Sequence, residues 1–403
     1  MYPGKLAMRE YFKKKYFIKD NPFAITPSPK EIVWADREDL FKQIKNAIDA
    51  SISTSPSRLI INWGLWGCGK THAMYYFTSE LFKKKMQEQC GSSLDFVQVG
   101  IHLPRPIEAG SMANLLYSRI MNAITLEVIH KSILRIGEYA QSKGIGPFDL
   151  KRRLQSHFSA LTKRKEYADV LTRLLKGAIR SFERKFFYGE KMTTRELKDL
   201  EVTRGIDSLD DMLEMLGLVT SVLTQPFEEL PEMMSEIFIW IDENEALKEL
   251  SPKDTFLYRS FLRDLFDYAP RDVTVFLNFS MSIGEDFSLV EASLGDALIS
   301  RVDSNILFPP ITTLDDCLKY VKQLIEHVRT RDVDDPYHPF TEDSVKLLLG
   351  TQIEKGILPR DINKIFTKAL EIGYFKNTER IDEKFIESNR DLIFQKEVKV
   401  RFS

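Results

Sequence analysis

Five short apolar runs punctuate the chain, and most of the stretches between them carry a helical rather than an alternating pattern. The runs are Leu59-Ile60-Ile61-Asn62-Trp63, the alternating segment 96–101, Ile237-Phe238-Ile239-Trp240-Ile241 with Glu236 before it, segment 273–279, and Asn305-Ile306-Leu307-Phe308 closed by Pro309-Pro310. Each has strand length and strand composition. Leu40, Phe41, Ile44, Ala47 and Ile48 recur at helical spacing and predict a helix over 38–52, with further helices over 71–89, 109–124 and 253–268. Strands separated by helices predict a parallel sheet covered on both faces, an α/β fold. Beyond Pro310 the pattern is helical throughout, at 315–330, 341–349, 360–373 and 382–389, which predicts a lid-sized helical unit ending in a short basic tail.

The intervals are uneven. Residues 105–230 hold long helix-periodic stretches broken at Gly144-Ile145-Gly146-Pro147 and near Gly189, with no convincing strand. Residues 1–30 begin with the basic, aromatic Lys13-Lys14-Lys15-Tyr16-Phe17 and continue through Asn21-Pro22-Phe23 and two further prolines, so an ordered arm is expected. The expected organisation is therefore an arm over 1–30, an α/β core over 31–310 carrying a mostly helical insertion at 105–230, and a helical lid and tail over 311–403.

Composition narrows the class. A chain of 403 residues, 43% hydrophobic and 29% charged, can bury a substantial core. No apolar run approaches the roughly 20 residues that span a bilayer. The N-terminus shows no secretory core either, so no membrane partner and a cytoplasmic location are expected. Cys68, Cys90 and Cys317 are too far apart in sequence for a C-x-x-C metal motif. The net charge of −2 hides a segregation: residues 143–191 hold 13 Lys or Arg against 5 Asp or Glu, and residues 192–236 hold 3 against 11. Adjacent blocks of opposite sign mean a basic surface for a polyanion beside an acidic one, or two surfaces that pair with each other or between subunits.

The chemistry concentrates at Gly64-Leu65-Trp66-Gly67-Cys68-Gly69-Lys70-Thr71, a full G-x-x-x-x-G-K-[ST] phosphate-loop pattern lying between a strand and a helix. In that setting successive backbone N–H groups and a helix N-terminus converge on phosphate. Glycines 64, 67 and 69 let the backbone close in. Lys70 reaches the β- and γ-phosphate oxygens, Thr71 offers its hydroxyl to Mg²⁺, and His72 follows in the nucleotide-binding segment. Cys68 is either an oxidisable thiol or a small residue filling a tight turn. A carboxylate at the tip of a neighbouring strand completes such a centre: Asp242 holds that position for the metal, and Glu243 beside it can polarise a water as general base. Mg²⁺ arriving with ATP is the only metal expected.

These residues resemble those of the AAA+ ATPases. Asp242-Glu243 is similar to the family's acidic box. Leu298-Ile299-Ser300-Arg301-Val302 resembles the box that carries the arginine finger, and Gly356-Ile357-Leu358-Pro359-Arg360-Asp361 the second sensor, with Arg360 at the matching position. The first sensor falls on Asn278 or Ser280. Asn21-Pro22-Phe23, Thr26-Pro27 and Trp34-Ala35-Asp36-Arg37-Glu38 are similar to the lead-in of origin-binding initiators and of ATPases that regulate transposition or secretion. The resemblance implies a P-loop AAA+ core with a C-terminal helical lid, and Val33, Trp34 and Arg37 as neighbours of the adenine. It also implies self-association into a ring or filament, because an arginine supplied across a subunit boundary completes the centre. It covers residues 20–103 and 236–375. The span from Lys70 to Asp242 exceeds two βα units by about 110 residues.

That surplus is the basic, mostly helical insertion. Lys151-Arg152-Arg153, Lys163-Arg164-Lys165, Lys176, Arg180, Arg184 and Lys185 are interleaved with Phe148, Phe158, Tyr167, Phe182, Phe186, Phe187 and Tyr188. Positions 173, 176, 180 and 184 predict one helix face that tracks phosphates. DNA or RNA contact, a protein or subunit interface, and a plainly solvated face all fit. The sequence favours an Mg²⁺-dependent ATPase that regulates a nucleic-acid-associated complex; the alternative is a nucleotide switch that binds a protein effector with little turnover.

Overall fold

The computed structural model describes residues 3–29, 32–91, 94–105, 108, 110–350 and 353–394. Five strands form one sheet: β1 (Arg58–Leu65), β2 (Val97–His102), β3 (Ile237–Asp242), β4 (Val273–Met281) and β5 (Val302–Leu307). Their order is β2-β3-β4-β1-β5, and the pairs β1/β5, β2/β3 and β3/β4 are parallel. The α/β fold expected from the five apolar runs is present. Every residue of β3 and all but one of β4 are buried, as a sheet covered on both faces requires.

The chain divides into two compact units. One comprises residues 1–42, 64–76 and 308–403; the other comprises 43–63 and 77–307. In the second, the sheet and the insertion share a single core: Val99 and Ile101 of β2 belong to the same buried cluster as Leu116, Tyr117, Phe158, Tyr167 and Phe186. The Leu209–Thr224 helix is buried almost all round, and Gly217 lets it approach its neighbour. A Cβ at position 217 would lie 2.4 Å from the Tyr268 carbonyl oxygen.

In the first unit the arm and the C-terminal helices form one core. Phe12, Tyr16 and Phe23 pack with Phe340 and Phe366, Thr367 Oγ1 donates to the Phe23 carbonyl (2.8 Å), and Asn363 Nδ2 donates to that of Ala24 (2.7 Å).

Two local expectations fail for identifiable reasons. The helix expected over 71–89 is two helices, Lys70–Phe77 and Glu80–Cys90, because the Ser79 hydroxyl accepts the Phe82 N–H and starts a new one. The single basic face at 173, 176, 180 and 184 does not exist. The Lys165–Arg173 helix runs into a short 3₁₀ turn that ends at Gly177 (φ +96°), and a separate helix, Ser181–Phe187, follows. The Lys176 side chain lies outside the described residues.

The charge blocks pair with each other. Lys143 meets Glu229, Arg153 meets Glu228, Arg164 meets the fully buried Asp211, Arg173 meets Glu201 and Lys185 meets Glu196. Phe158, Tyr167, Phe186 and Phe187 are core residues, whereas Phe148 is 83% exposed.

Candidate functional site

The phosphate loop leaves β1 and enters the Lys70–Phe77 helix. Gly67 and Gly69 adopt φ +88° and +97°, conformations that side-chain-bearing residues seldom adopt. Gly64 is required for space, since a Cβ there would sit 2.5 Å from the Phe308 carbonyl oxygen. Lys70 is buried, and its Nζ donates to the carbonyls of Gly64 and Leu65, both at 2.9 Å. Thr71 stands in the first turn of the helix, and Trp66 is 46% exposed on the loop. Cys68 is fully buried, and burial pushes its thiol above the ordinary range, the behaviour of a filler rather than a redox-active group.

Two arginines hold this loop. The Arg37 guanidinium donates to the carbonyls of Cys68 and Pro309 and lies over the Phe308 ring. The Arg360 N–H, in the first turn of the Pro359–Phe375 helix, donates to the Gly67 carbonyl (3.3 Å). His72 Nε2 is 2.7 Å from the Val33 carbonyl, and burial holds this imidazole below its ordinary pKa, so the neutral ring donates from Nε2. Trp34 packs against Phe41, His72 and Tyr76. Val33, Trp34, Arg37 and Arg360 are thus gathered around the phosphate loop within one unit.

The acidic pair belongs to the other unit. Register pairs Ile241 with Leu277, which brings Asp242 and Asn278 side by side. Asn278 Nδ2 donates to Asp242 Oδ1 (3.0 Å), and Asn62 Nδ2 donates to Asn278 Oδ1 (2.9 Å); all three residues are buried. His102, paired with Asp242 in the β2/β3 register, brings Nδ1 to 3.6 Å from Asp242 Oδ2.

Glu243 takes a left-handed conformation (φ +63°, ψ +32°), which turns the chain sharply after the strand. Asn244 fixes that turn: its Nδ2 donates to the carbonyls of Ile241 (2.6 Å) and Asn278 (3.1 Å), and its Oδ1 accepts from the Tyr258 hydroxyl. Glu243 lines a cavity of about 670 Å³ with His102, Arg105, Glu108, Arg119 and Asn122.

Of the two first-sensor candidates, Asn278 contacts Asp242, while the Ser280 N–H donates to the Glu245 carboxylate (2.9 Å). Arg301 immediately precedes the edge strand β5, at the opposite strand end from Asp242, which closes the inner strand β3, and it grips Asp267 with both guanidinium nitrogens (2.9 Å). Asn62, Asn244, Tyr258 and His102 escape the sequence reading. The one signal was a polar residue inside an apolar strand, as at Asn62.

A parallel sheet with a glycine loop closing β1 and an acidic pair closing β3, accompanied by C-terminal helices, defines an AAA+ P-loop architecture. No protein-family model and no curated protein matches the chain. Among solved structures, the ORC2 protein of Aeropyrum pernix, determined in ADPNP–ADP complexes, aligns with a TM-score of 0.51 at 12% identity over 94% of this chain and 73% of its own. ORC1 of the same organism, in complex with DNA, aligns at 0.46 and 13% identity over 93% and 69%. A Walker-type ATPase of Pyrococcus abyssi aligns at 0.42 and 17% over 92% and 77%. By fold, then, the chain is similar to the Aeropyrum ORC2 protein, sharing its α/β architecture. Among the described residues, no helix is long and apolar enough to cross a membrane.

Proposed function

We propose that this chain is an Mg²⁺-dependent ATPase of AAA+ type that assembles with ATP bound and uses hydrolysis to remodel or regulate a nucleic-acid-associated complex. The observation that carries the reading is the phosphate loop at the end of β1 in the same parallel sheet whose β3 ends in Asp242-Glu243, with β4 between them. The loop fits a triphosphate. Glycines at 64 and 67 let the loop close against Phe308 and Arg360, where a Cβ would collide, and Lys70 is already turned toward the loop's own carbonyls. The solved Aeropyrum relative carries ADPNP and ADP.

In this reading the loop N–H groups and Lys70 bind the phosphates, and Val33, Trp34 and Arg37 lie toward the adenine. Thr71 and Asp242 are oxygen donors suited to Mg²⁺, which when bound neutralises phosphate charge. Glu243 orients and deprotonates the attacking water, Asn278 holds Asp242, and Arg360 senses the terminal phosphate from the lid. Arg301 faces a neighbouring protomer and acts there. A Lys70→Ala variant is expected to lose ATP binding, read by titration with a fluorescent analogue; binding equal to wild type would defeat the assignment.

The second reading turns on the partner of the insertion. Ion pairing between its basic and acidic blocks favours the second reading, an effector-binding nucleotide switch, more than the sequence did. The test is a salt-dependent DNA and RNA titration of Lys151→Glu/Arg152→Glu/Lys163→Glu, which leaves the buried Asp211 pair intact. A fall in affinity with a shallower salt slope supports nucleic acid, and unchanged binding points to a protein partner.

A further inference from the structure

We infer that Asn62 is a positioning residue that acts through Asn278 to fix the Asp242 carboxylate, and so sets how much Mg²⁺ the nucleotide complex needs. The inference rests on the proposed role of Asp242 at the metal. Its basis is the relay Asn62 Nδ2–H to Asn278 Oδ1 (2.9 Å) and Asn278 Nδ2–H to Asp242 Oδ1 (3.0 Å), running across β1, β4 and β3.

An amide has two unlike ends. Because Asn62 donates to the oxygen of Asn278, the NH₂ end of Asn278 must point at Asp242; reversed, it would set oxygen against carboxylate and NH₂ against NH₂. The Asn278 main-chain carbonyl accepts from Asn244, which steadies the strand at the same point. The donor on Asp242 Oδ1 stops the carboxylate rotating, as partners behind a metal ligand do.

Stability alone does not account for Asn62. It is fully buried after Leu59, Ile60 and Ile61, and its Oδ1 finds no hydrogen-bond partner among the described residues. A buried acceptor left unpaired is destabilising and offsets the one bond that Asn62 Nδ2 makes. What Asn62 does supply is a donor aimed at Asn278. It also lies two positions before Gly64, so one strand carries both the relay and the phosphate loop.

The test compares wild type, Asn62→Leu, Asn278→Leu and the double variant. The readouts are the Mg²⁺ concentration for half-maximal binding of a fluorescent non-hydrolysable ATP analogue, its affinity in EDTA, and turnover. Asn62→Leu is expected to stay folded and keep its EDTA affinity, yet need about tenfold more Mg²⁺. The double variant is expected to match Asn278→Leu alone, because one residue acts through the other. Asn62→Val carries the same expectation if the larger side chain does not fold. A wild-type Mg²⁺ requirement in Asn62→Leu, or shifts that multiply in the double variant, would overturn the inference. Wild type that binds the analogue but never turns over ATP would instead count against the hydrolytic reading, while the Mg²⁺ comparison still judges Asn62.

Discussion

Arg360 sits directly against Gly67: its N–H donates to the Gly67 carbonyl (3.3 Å), and a Cβ at 67 would lie 2.9 Å from the Arg360 Cβ. The Pro359–Phe375 helix is therefore in backbone contact with the phosphate loop. Gly67→Ala adds this clash to a φ of +88°, a conformation costing roughly 1–2 kcal/mol for an L-residue. ATP affinity should fall about tenfold or more, with a lower melting temperature. Arg360→Ala leaves the loop unstrained, so it should keep most of its stability and lose mainly turnover. Fluorescent-analogue titration beside thermal melts separates the two; matching profiles for both variants would contradict this division.

Arg37 offers a second test, because its planar guanidinium bonds two carbonyls at once, on Cys68 and Pro309. A lysine keeps the charge and lacks the fork. Arg37→Lys should therefore weaken ATP binding by about tenfold, roughly 1.4 kcal/mol, through a loosened loop. Wild-type affinity in Arg37→Lys would show that charge alone suffices there.

A pH dependence comes from Glu236, at the opposite end of β3 from the acidic pair. Burial pushes its carboxyl up to about 8, while the Thr274 hydroxyl, donating at 2.8 Å, pulls it down in part. Unfolded, the group titrates near its ordinary value of about 4.3, so the folded chain keeps a proton that the unfolded chain has released. The stabilising contribution is complete below about pH 4.3 and is lost as pH rises through about 8, with a slope of about 1.4 kcal/mol per unit across that window. Glu236→Gln should remove this slope. Melts of both proteins from about pH 5 to 8.5 decide it, and parallel curves would show that Glu236 does not titrate there.

The legible part of this molecule was local. Gly64 to Thr71, the five apolar runs and Asp242-Glu243 announce themselves because a loop, a strand period and a strand end are each written in neighbouring residues. Partners were not written there. Arg153 and Glu228 lie 75 positions apart, and their exposed pairing offsets part of the basic block's charge. Asn278 was read as a first-sensor candidate and Asn62 only as part of an apolar strand; their pairing across 216 positions emerges only in the sheet. The break at Gly177 was visible as a glycine, but helical spacing on either side outweighed it in the sequence. Arg37 was read as a neighbour of the base from resemblance, and its grip on the Cys68 carbonyl depends on a tertiary approach that no local pattern encodes.

The central claim, that Lys70 and Thr71 hold a triphosphate that Glu243 helps to hydrolyse, is tested most directly by Glu243→Gln. Mg²⁺-ATP affinity and steady-state turnover should be measured on the same preparation beside wild type. The account predicts unchanged affinity and a turnover lower by about 100-fold or more, the usual loss on removing a general base. Equal turnover in the two proteins would contradict it.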